Sequence, residues 1–167
     1  MDGARPAGGE RRGDGGRDLN GAEREIRDII ARQVDGWNRG DARGFATGCR
    51  DDVGFTNILG MRWDTRAGFE ARHAEMFRGV FAGSHLAVEV ERLRWPGPDT
   101  AIADLLTVLT GARGAPPGIR LSPDGRLRTR LLEVFVRRDG QWEIAACHNT
   151  AVYPPDGAAP HPEAAGS

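Results

Sequence analysis

Three polar side chains, Asn57, His73 and His148, fall on apolar faces of this 167-residue chain, where the spacing of their neighbours predicts burial. Buried amides and imidazoles cost free energy unless a partner hydrogen-bonds them. Because the three come from distant parts of one small chain, a shared internal pocket explains them better than three unrelated accidents. The sequence therefore predicts that they line one cavity near Trp37, and that this cavity holds a small molecule.

His73 is a candidate for proton transfer, since an imidazole titrates near neutrality and a pocket can tune its pKa. The alternative is a core histidine bonded to a backbone carbonyl. Arg72 lies at the edge of the same helical stripe, where it either pairs with a carboxylate or enolate of a substrate or reaches solvent. Asn57 and His148 are candidates to hold an oxygen that becomes negative during a reaction.

Asp104 is the carboxylate with the strongest sequence argument, because it interrupts the nearly continuous apolar run 100–110. Such a run predicts a central strand covered on both faces, where desolvation would raise the pKa of an aspartate and make it a base near neutral pH. The competing interpretation is a buried ion pair with Arg128 or Arg130 of the adjoining strand. Glu133 raises the same question on the next strand.

Strand alternation allows only one of His148 and Asn149 to face the pocket. His148 shares a face with Trp142 and Ile144, so we favour it, although a β-bulge would reverse the choice. The catalytic candidates are thus His73, Asp104 and His148. The candidates for ligand contact are Trp37, Phe55, Asn57, Trp63, Arg72, Phe77, Arg130 and Asn149. The aromatic members of this set are core or pocket wall, and flat aromatic walls suit a polyene or a ring system.

Apolar spacing predicts the elements that position these residues. Helical patterns cover residues 22–39, a short segment capped by Asp41, and a third segment that begins after a cap at Asp64 or Thr65. A hairpin is expected at 53–63. The longer strands are expected at 86–91, 100–110, 127–137 and 142–152. Helices thus precede an antiparallel meander, which is an α+β order.

The ends of the chain differ in composition from its centre. Residues 1–20 and 154–167 are rich in Gly, Ala, Pro and charged side chains and offer little to bury, so they are expected to be disordered tails around one domain at 21–153. No stretch has the length of a membrane span or the pattern of a secretory signal. We therefore expect a cytoplasmic protein with no membrane partner.

Charge and motifs exclude several function classes. With 23 basic against 24 acidic residues the net charge is −1, so no global field attracts nucleic acid. Cys49 and Cys147 lie far apart without a CxxC motif, and we expect no metal site. The chain has no GxGxxG, GxxxxGK[ST], GxSxG or HExxH motif. We therefore expect no cofactor.

The order of helix, short helix, hairpin, helix and four strands resembles the nuclear transport factor 2-like superfamily, which includes ketosteroid isomerase and the SnoaL-like polyketide cyclases. Within it, the stretch 55–60 (FTNILG), Gly68 with His73 and Phe77, and the final segment 142–150 (WEIAACHNT) are similar to the SgcJ/EcaC group. Members of that group occur in gene clusters for enediyne antibiotics, which are polyketides. The resemblance spans residues 22–153.

The resemblance implies a curved sheet wrapped around the N-terminal helix as a cone, with a pocket at its open end, and a homodimer formed through the sheet. It also implies a polyketide-derived ligand, of enediyne type, and cofactor-free cyclisation, isomerisation or dehydration. The alternative is a binding or carrier protein that shelters a labile polyene. The ketosteroid isomerase site has no obvious equivalent here, because the only tyrosine is Tyr153, at the end of the domain.

Overall fold

The structure, a computed structural model, describes residues 19–153. Its elements in chain order are α1 (Leu19–Asn38), α2 (Ala42–Ala46), β1 (Cys49–Thr56), β2 (Arg62–Trp63), α3 (Arg66–Arg78), β3 (His85–Gly97), β4 (Thr100–Thr110), β5 (Leu127–Arg138) and β6 (Gln141–Ala151). The α+β order predicted from the sequence is confirmed. The predicted tails lie almost entirely outside the described residues, and α1 begins at Leu19, two residues before the predicted domain boundary.

Helix α1 is amphipathic and places its apolar stripe in the core. Ile26, Ile29 and Ile30 are buried at helical spacing, and Trp37 is buried near the end of the helix. Gly36 lets α2 cross closely, because a Cβ atom at this position would lie 2.4 Å from the backbone nitrogen of Phe45. The crossing brings Phe45 beside Trp37, with their ring centroids 5.4 Å apart.

The two later helices begin at the caps that the sequence indicates. Asp41 accepts a hydrogen bond from the backbone nitrogen of Gly44, at 2.9 Å. Of the two candidates for α3, Thr65 is the cap, and its hydroxyl accepts from the nitrogen of Gly68 at 3.1 Å. Because each cap satisfies an otherwise unpaired backbone donor, it fixes the residue at which the helix starts.

All six strands form one curved sheet in the order β2-β1-β6-β5-β4-β3. Strands β1 and β6 run parallel, whereas every other neighbouring pair is antiparallel. One face of the sheet lies over the helices. There, Phe135 and Ile144 are fully buried, as are Ile26 and Phe69 from the helices, and burial of such side chains stabilises the fold by about 1.5–3 kcal/mol each.

Strand β4 is not covered on both faces within this chain, contrary to the sequence prediction. Ala101, Ala103 and Leu105 are buried on the inner face, while the residues between them are only half-buried on the outer face. The apolar run 100–110 is therefore continuous because both faces of β4 carry apolar side chains, although only the inner face is buried in the core.

A β-bulge interrupts the pairing of β5 and β6. Val134 pairs with Ala146 and Phe135 pairs with Ile144, so Ala145 is an extra residue in β6. An extra residue moves every later side chain of a strand to the opposite face. The inward residues of β6 are therefore Trp142 and Ile144 before the bulge, and Cys147 and Asn149 after it. No helix among residues 19–153 has the length and apolarity that a membrane crossing needs.

Candidate functional site

A cavity of about 100 Å³ lies between the inner face of the sheet and the three helices. Its apolar lining comes from both layers and includes Trp37, Phe45, Phe55, Phe69 and Phe81. Its polar lining consists of Gln33, Asn57, Arg72, His73, Thr107, Thr129, Glu133 and Asn149. The exposed side chain of Leu59, in the turn after β1, belongs to the lining as well, which places an opening of the cavity at this turn.

His73 lies in the cavity wall, as predicted, and is 3% exposed. Its Nδ1 donates to the backbone oxygen of Phe69 at 2.7 Å, because a carbonyl can only accept. This bond fixes the tautomer and leaves Nε2 as an acceptor. Burial, aided by the positive charge of Arg72, lowers the pKa of His73 to about 4, although the bond to Phe69 opposes this shift. The imidazole is therefore neutral at pH 7 and a weak base.

Glu133 is the residue that the sequence analysis left unassigned. It is 1% exposed, and its Oε2 atom has no hydrogen-bond partner in the described part of the chain. Burial raises the pKa of Glu133 to about 7, with hydrogen bonds from Gln33 and Cys147 acting in the opposite direction. The Sγ atom of Cys147 lies 3.9 Å from Oε1. The carboxyl group is thus poised to gain or lose a proton near neutral pH.

The sequence did carry a signal for Glu133. Residues 127, 129, 131, 133 and 135 share the inner face of β5, and Glu133 is the only ionisable residue among them. Gln33 is marked in a similar way, since it lies on the buried stripe of α1. Both residues interrupt apolar faces as Asn57 and His73 do.

The choice of His148 over Asn149 was wrong, because the bulge at Ala145 reverses the alternation of β6. His148 is exposed on the outer face, so it does not join Asn57 and His73 in the cavity. Asn149 lines the cavity instead, beside Leu131 of β5. Its Oδ1 atom is buried and lacks a partner among residues 19–153.

Asp104 lies on the outer face of β4, outside the cavity, which corrects its prediction as a base. It forms ion pairs with Arg92 and Arg94 of β3, both at 3.0 Å. Hydrogen bonds and charge from Arg94 and Arg92 lower the pKa of Asp104. The partners expected from β5 were wrong as well. Arg130 is exposed and pairs with Glu91, so it is not placed to contact a ligand in this cavity.

The remaining predicted contact residues divide between the lining and a layer behind it. Trp37, Phe55 and Asn57 line the cavity. The oxygen of Asn57 accepts from the nitrogens of Leu59 and Met61, both at 2.9 Å, which leaves its amide nitrogen to donate. Two further aromatic residues support the wall from behind. Phe77 packs on Trp37 with their ring centroids 5.0 Å apart, and Trp63 packs on Phe55 with their ring centroids 5.7 Å apart.

Arg72 lies in the helical wall of the cavity, with its guanidinium group over the ring of Trp63 at 5.9 Å. Its Nη1 atom donates to Glu75 at 3.3 Å, whereas its buried Nε atom has no partner in the described chain. Across residues 19–153, no group of three or more His, Cys, Asp or Glu side chains is arranged to hold a metal ion. The chemistry that this arrangement supports directly is proton transfer and hydrogen bonding.

No protein-family model matches the chain. No curated protein matches it either. Among solved structures, a domain of unknown function with a cystatin-like fold from Nostoc punctiforme is 25% identical, with a TM-score of 0.67, and the match covers 80% of this chain and 79% of that one.

Two further similar structures are described by an enzyme activity or by likeness to an enzyme. A hexachlorocyclohexane dehydrochlorinase, LinA type 2, is 17% identical over 87% of this chain and 96% of its own, with a TM-score of 0.65. A ketosteroid isomerase-like protein from Erwinia carotovora atroseptica is 14% identical over 78% of this chain and 96% of its own, with a TM-score of 0.62. Together with the curved mixed sheet closed by helices, these likenesses show that the chain has the nuclear transport factor 2-like, cystatin-like α+β cone fold.

Proposed function

We propose that the protein binds an apolar, polyketide-derived molecule and moves a proton on it without a cofactor, in a cyclisation, isomerisation or dehydration. The observation that carries this proposal is the environment of Glu133. Its carboxyl group is fully buried in the wall of an apolar cavity, and burial raises its pKa to about 7. A general acid or base works best when its pKa lies near the operating pH. Glu133 meets this condition, whereas the pKa of His73, lowered to about 4, does not.

The other polar groups of the cavity suit supporting roles. The neutral Nε2 of His73 can accept a hydrogen bond from a ligand, and the free amide nitrogen of Asn57 can donate one to an oxygen that becomes negative. Gln33 contacts the carboxyl group of Glu133 and can hold it in one orientation. We therefore assign proton transfer to Glu133 and positioning of the ligand to His73 and Asn57.

The polyketide class is supported by the sequence resemblance to the enediyne-associated SgcJ/EcaC group and by the aromatic walls of the cavity. A cavity of about 100 Å³ accommodates a single ring or a short segment of a chain, and the opening at Leu59 lets the rest of a longer ligand lie outside. The outer sheet face carries Ile102, Leu132 and Val134, which are half-buried or exposed. This surface supports the further proposal of a homodimer formed through the sheet.

The fold is compatible with proton chemistry. It is shared with a dehydrochlorinase, whose name denotes the removal of hydrogen and chlorine, and with a ketosteroid isomerase-like protein. In this chain the proposed base, Glu133, lies on β5.

A carrier protein for a labile polyene is the second candidate, and His73 favours it. Its ring is bonded to its own helix and is neutral at pH 7, as in an ordinary core histidine. A carrier needs only the apolar walls and the shelter from solvent that they give.

The exchange of carbon-bound hydrogen for solvent deuterium distinguishes the two functions. We expect the protein to accelerate exchange at C1 of 2-indanone, a compact apolar ketone, beyond the rate given by an equal concentration of propanoate, because the cavity holds the ketone ring beside Glu133 while the fused ring extends toward the opening at Leu59. Proton NMR in D₂O at pD 7 to 8 measures the rate. A rate equal to that with propanoate contradicts proton transfer.

A polyketide mimic provides the second arm of this experiment. The N-acetylcysteamine thioester of a dienoic β-keto acid is incubated with the protein, and its products are followed by chromatography and NMR, because cyclisation and isomerisation conserve mass. New products support the enzyme. Binding of this thioester with neither conversion nor exchange of 2-indanone supports the carrier.

A further inference from the structure

Three residues that line the cavity have a buried polar atom without a hydrogen-bond partner in the part of the chain that the structure describes. These atoms are Nε of Arg72, Oε2 of Glu133 and Oδ1 of Asn149. The one other such atom in residues 19–153, Nε1 of Trp142, belongs to a residue outside the lining. Because an unpaired buried polar atom is costly, their concentration at one cavity indicates a ligand that completes their hydrogen bonds.

The placement of these residues sets the geometry of the ligand. Glu133 pairs with Cys147 and Leu131 pairs with Asn149, so Glu133 and Asn149 are diagonal neighbours on the inner face of β5 and β6. Diagonal neighbours in an antiparallel pair lie ~7 Å apart. Arg72 belongs to α3 and therefore contributes from the helical wall. The sheet wall thus contributes two residues with an unpaired oxygen atom, and the helical wall contributes one residue with an unpaired cationic donor.

The chemistry of two of these atoms, those of Arg72 and Asn149, defines the ligand groups that they can bind. Nε of Arg72 can only donate and carries part of a positive charge, so it suits an anionic oxygen of a carboxylate or an enolate. Oδ1 of Asn149 can only accept, so it suits a hydroxyl group. Between them, the skeleton of the ligand contacts apolar side chains, among them Trp37 and Phe55.

We propose that this cavity recognises an apolar hydroxy acid, or the enolate of a hydroxy ketone, with its anionic oxygen on Arg72 and its hydroxyl group on Asn149. This inference rests on the proposed function, because it names the substrate class of the same cavity. It adds a requirement for the ligand that apolar walls alone do not impose, because the ligand must carry both an anionic oxygen and a hydroxyl group on one small apolar skeleton. Arg72 and Asn149 determine specificity, and Glu133 lies one diagonal step from the hydroxyl group.

Calorimetric titration with four ring compounds of similar size tests the inference. The probes are benzoate, phenol, 3-hydroxybenzoate and 4-hydroxybenzoate, so that each polar group is present alone and in two combined geometries. We expect at least one hydroxybenzoate to bind ~10-fold more tightly than both benzoate and phenol, because hydrogen bonds to charged and buried groups contribute on this scale.

Two substitutions with matched controls assign each polar group to its residue. In Arg72→Met, benzoate and the hydroxybenzoates should lose ~10-fold or more in affinity while phenol changes little. In Asn149→Leu, the advantage of the hydroxybenzoate over benzoate should disappear. Arg92→Met makes the first change on the outer face of the sheet, and His148→Leu replaces the polar outward neighbour of Asn149 by leucine; both controls should leave all four affinities unchanged.

Several results would overturn the inference. They are equal affinities of the four probes for the wild type, absence of binding by all four, or an equal loss for phenol and benzoate in Arg72→Met. The assay with 2-indanone separates this failure from that of the proposed function, because 2-indanone carries neither an anionic oxygen nor a hydroxyl group. Exchange of 2-indanone without discrimination among the probes refutes only the recognition of a hydroxy acid. Discrimination without exchange refutes only proton transfer.

Discussion

Replacing Glu133 by glutamine should slow the protein-catalysed hydrogen exchange of 2-indanone by at least ~10²-fold, because general acid–base catalysis is worth this much or more. Glutamine keeps the volume and much of the hydrogen bonding of glutamate but cannot take up the proton. Affinity for 2-indanone should stay within a few-fold, since the apolar walls are unchanged. The exchange rate and a binding titration, measured on the same preparations, check both parts of the expectation.

The wild-type rate should also depend on pH in a defined direction. As a base, Glu133 works in its ionised form, so the rate should rise through pH 7 and level off above it, following the pKa of Glu133 of about 7. Asp104→Asn is the matched control, because Asp104 is a carboxylate on the outer face, and its rate should equal that of the wild type. Equal rates for Glu133→Gln and the wild type would assign any exchange to another group, with His73 the next to replace by glutamine.

Glu133 and His73 should impose opposite pH dependences on stability, each of about 3 kcal/mol. The pKa of Glu133 is about 7 in the folded protein, against 4.5 ordinarily, so between these values only the folded state holds the proton and stability falls as pH rises. The pKa of His73 is about 4 when folded, against 6.5 ordinarily, so stability falls as pH decreases from 6.5 to 4. The two contributions nearly cancel between pH 4.5 and 6.5.

Single substitutions should expose each contribution separately. In Glu133→Gln, the free energy of unfolding should increase relative to the wild type as pH rises from 4.5 to 7, by about 3 kcal/mol in total. In His73→Gln, it should increase relative to the wild type as pH falls from 6.5 to 4. Urea unfolding at a series of pH values measures both differences. Parallel curves for the wild type and the two variants would show that neither group is desolvated as the structure indicates.

The sequence predicts the helices and their caps well because these depend on local chemistry. Asp41 and Thr65 accept from a backbone nitrogen three residues ahead, and the stripe of α1 repeats at helical spacing. His73 and Asn57 were assigned to the cavity for the same reason, since each shares a face with apolar neighbours. The α+β order follows from these elements, and the comparisons with solved structures agree with it.

The strand residues of the site depend on register, which a single sequence does not encode locally. The extra residue Ala145 moves Asn149 inward and His148 outward, although the apolar pattern before the bulge is regular. The partners of Asp104 come from β3, and another register shift, between Val90 and Arg92, precedes the position where Arg92 meets Asp104. The outer face of β4 also carries apolar residues, so its sequence has the pattern of a strand that is covered on both faces. This pattern led to the wrong prediction that Asp104 is buried.

Direct titration of the Glu133 carboxyl group is the measurement that tests most closely whether the cavity holds a proton-transfer group near neutrality. Protein with ¹³C-labelled glutamate shows one carboxyl resonance per residue, and the Glu133→Gln variant identifies the resonance of Glu133 by its disappearance. We expect the chemical shift of this resonance to change with a midpoint at about pH 7. A midpoint near the ordinary glutamate value of 4.5 would contradict the proposal, because Glu133 would then be fully ionised at neutral pH and would have no special capacity for proton exchange.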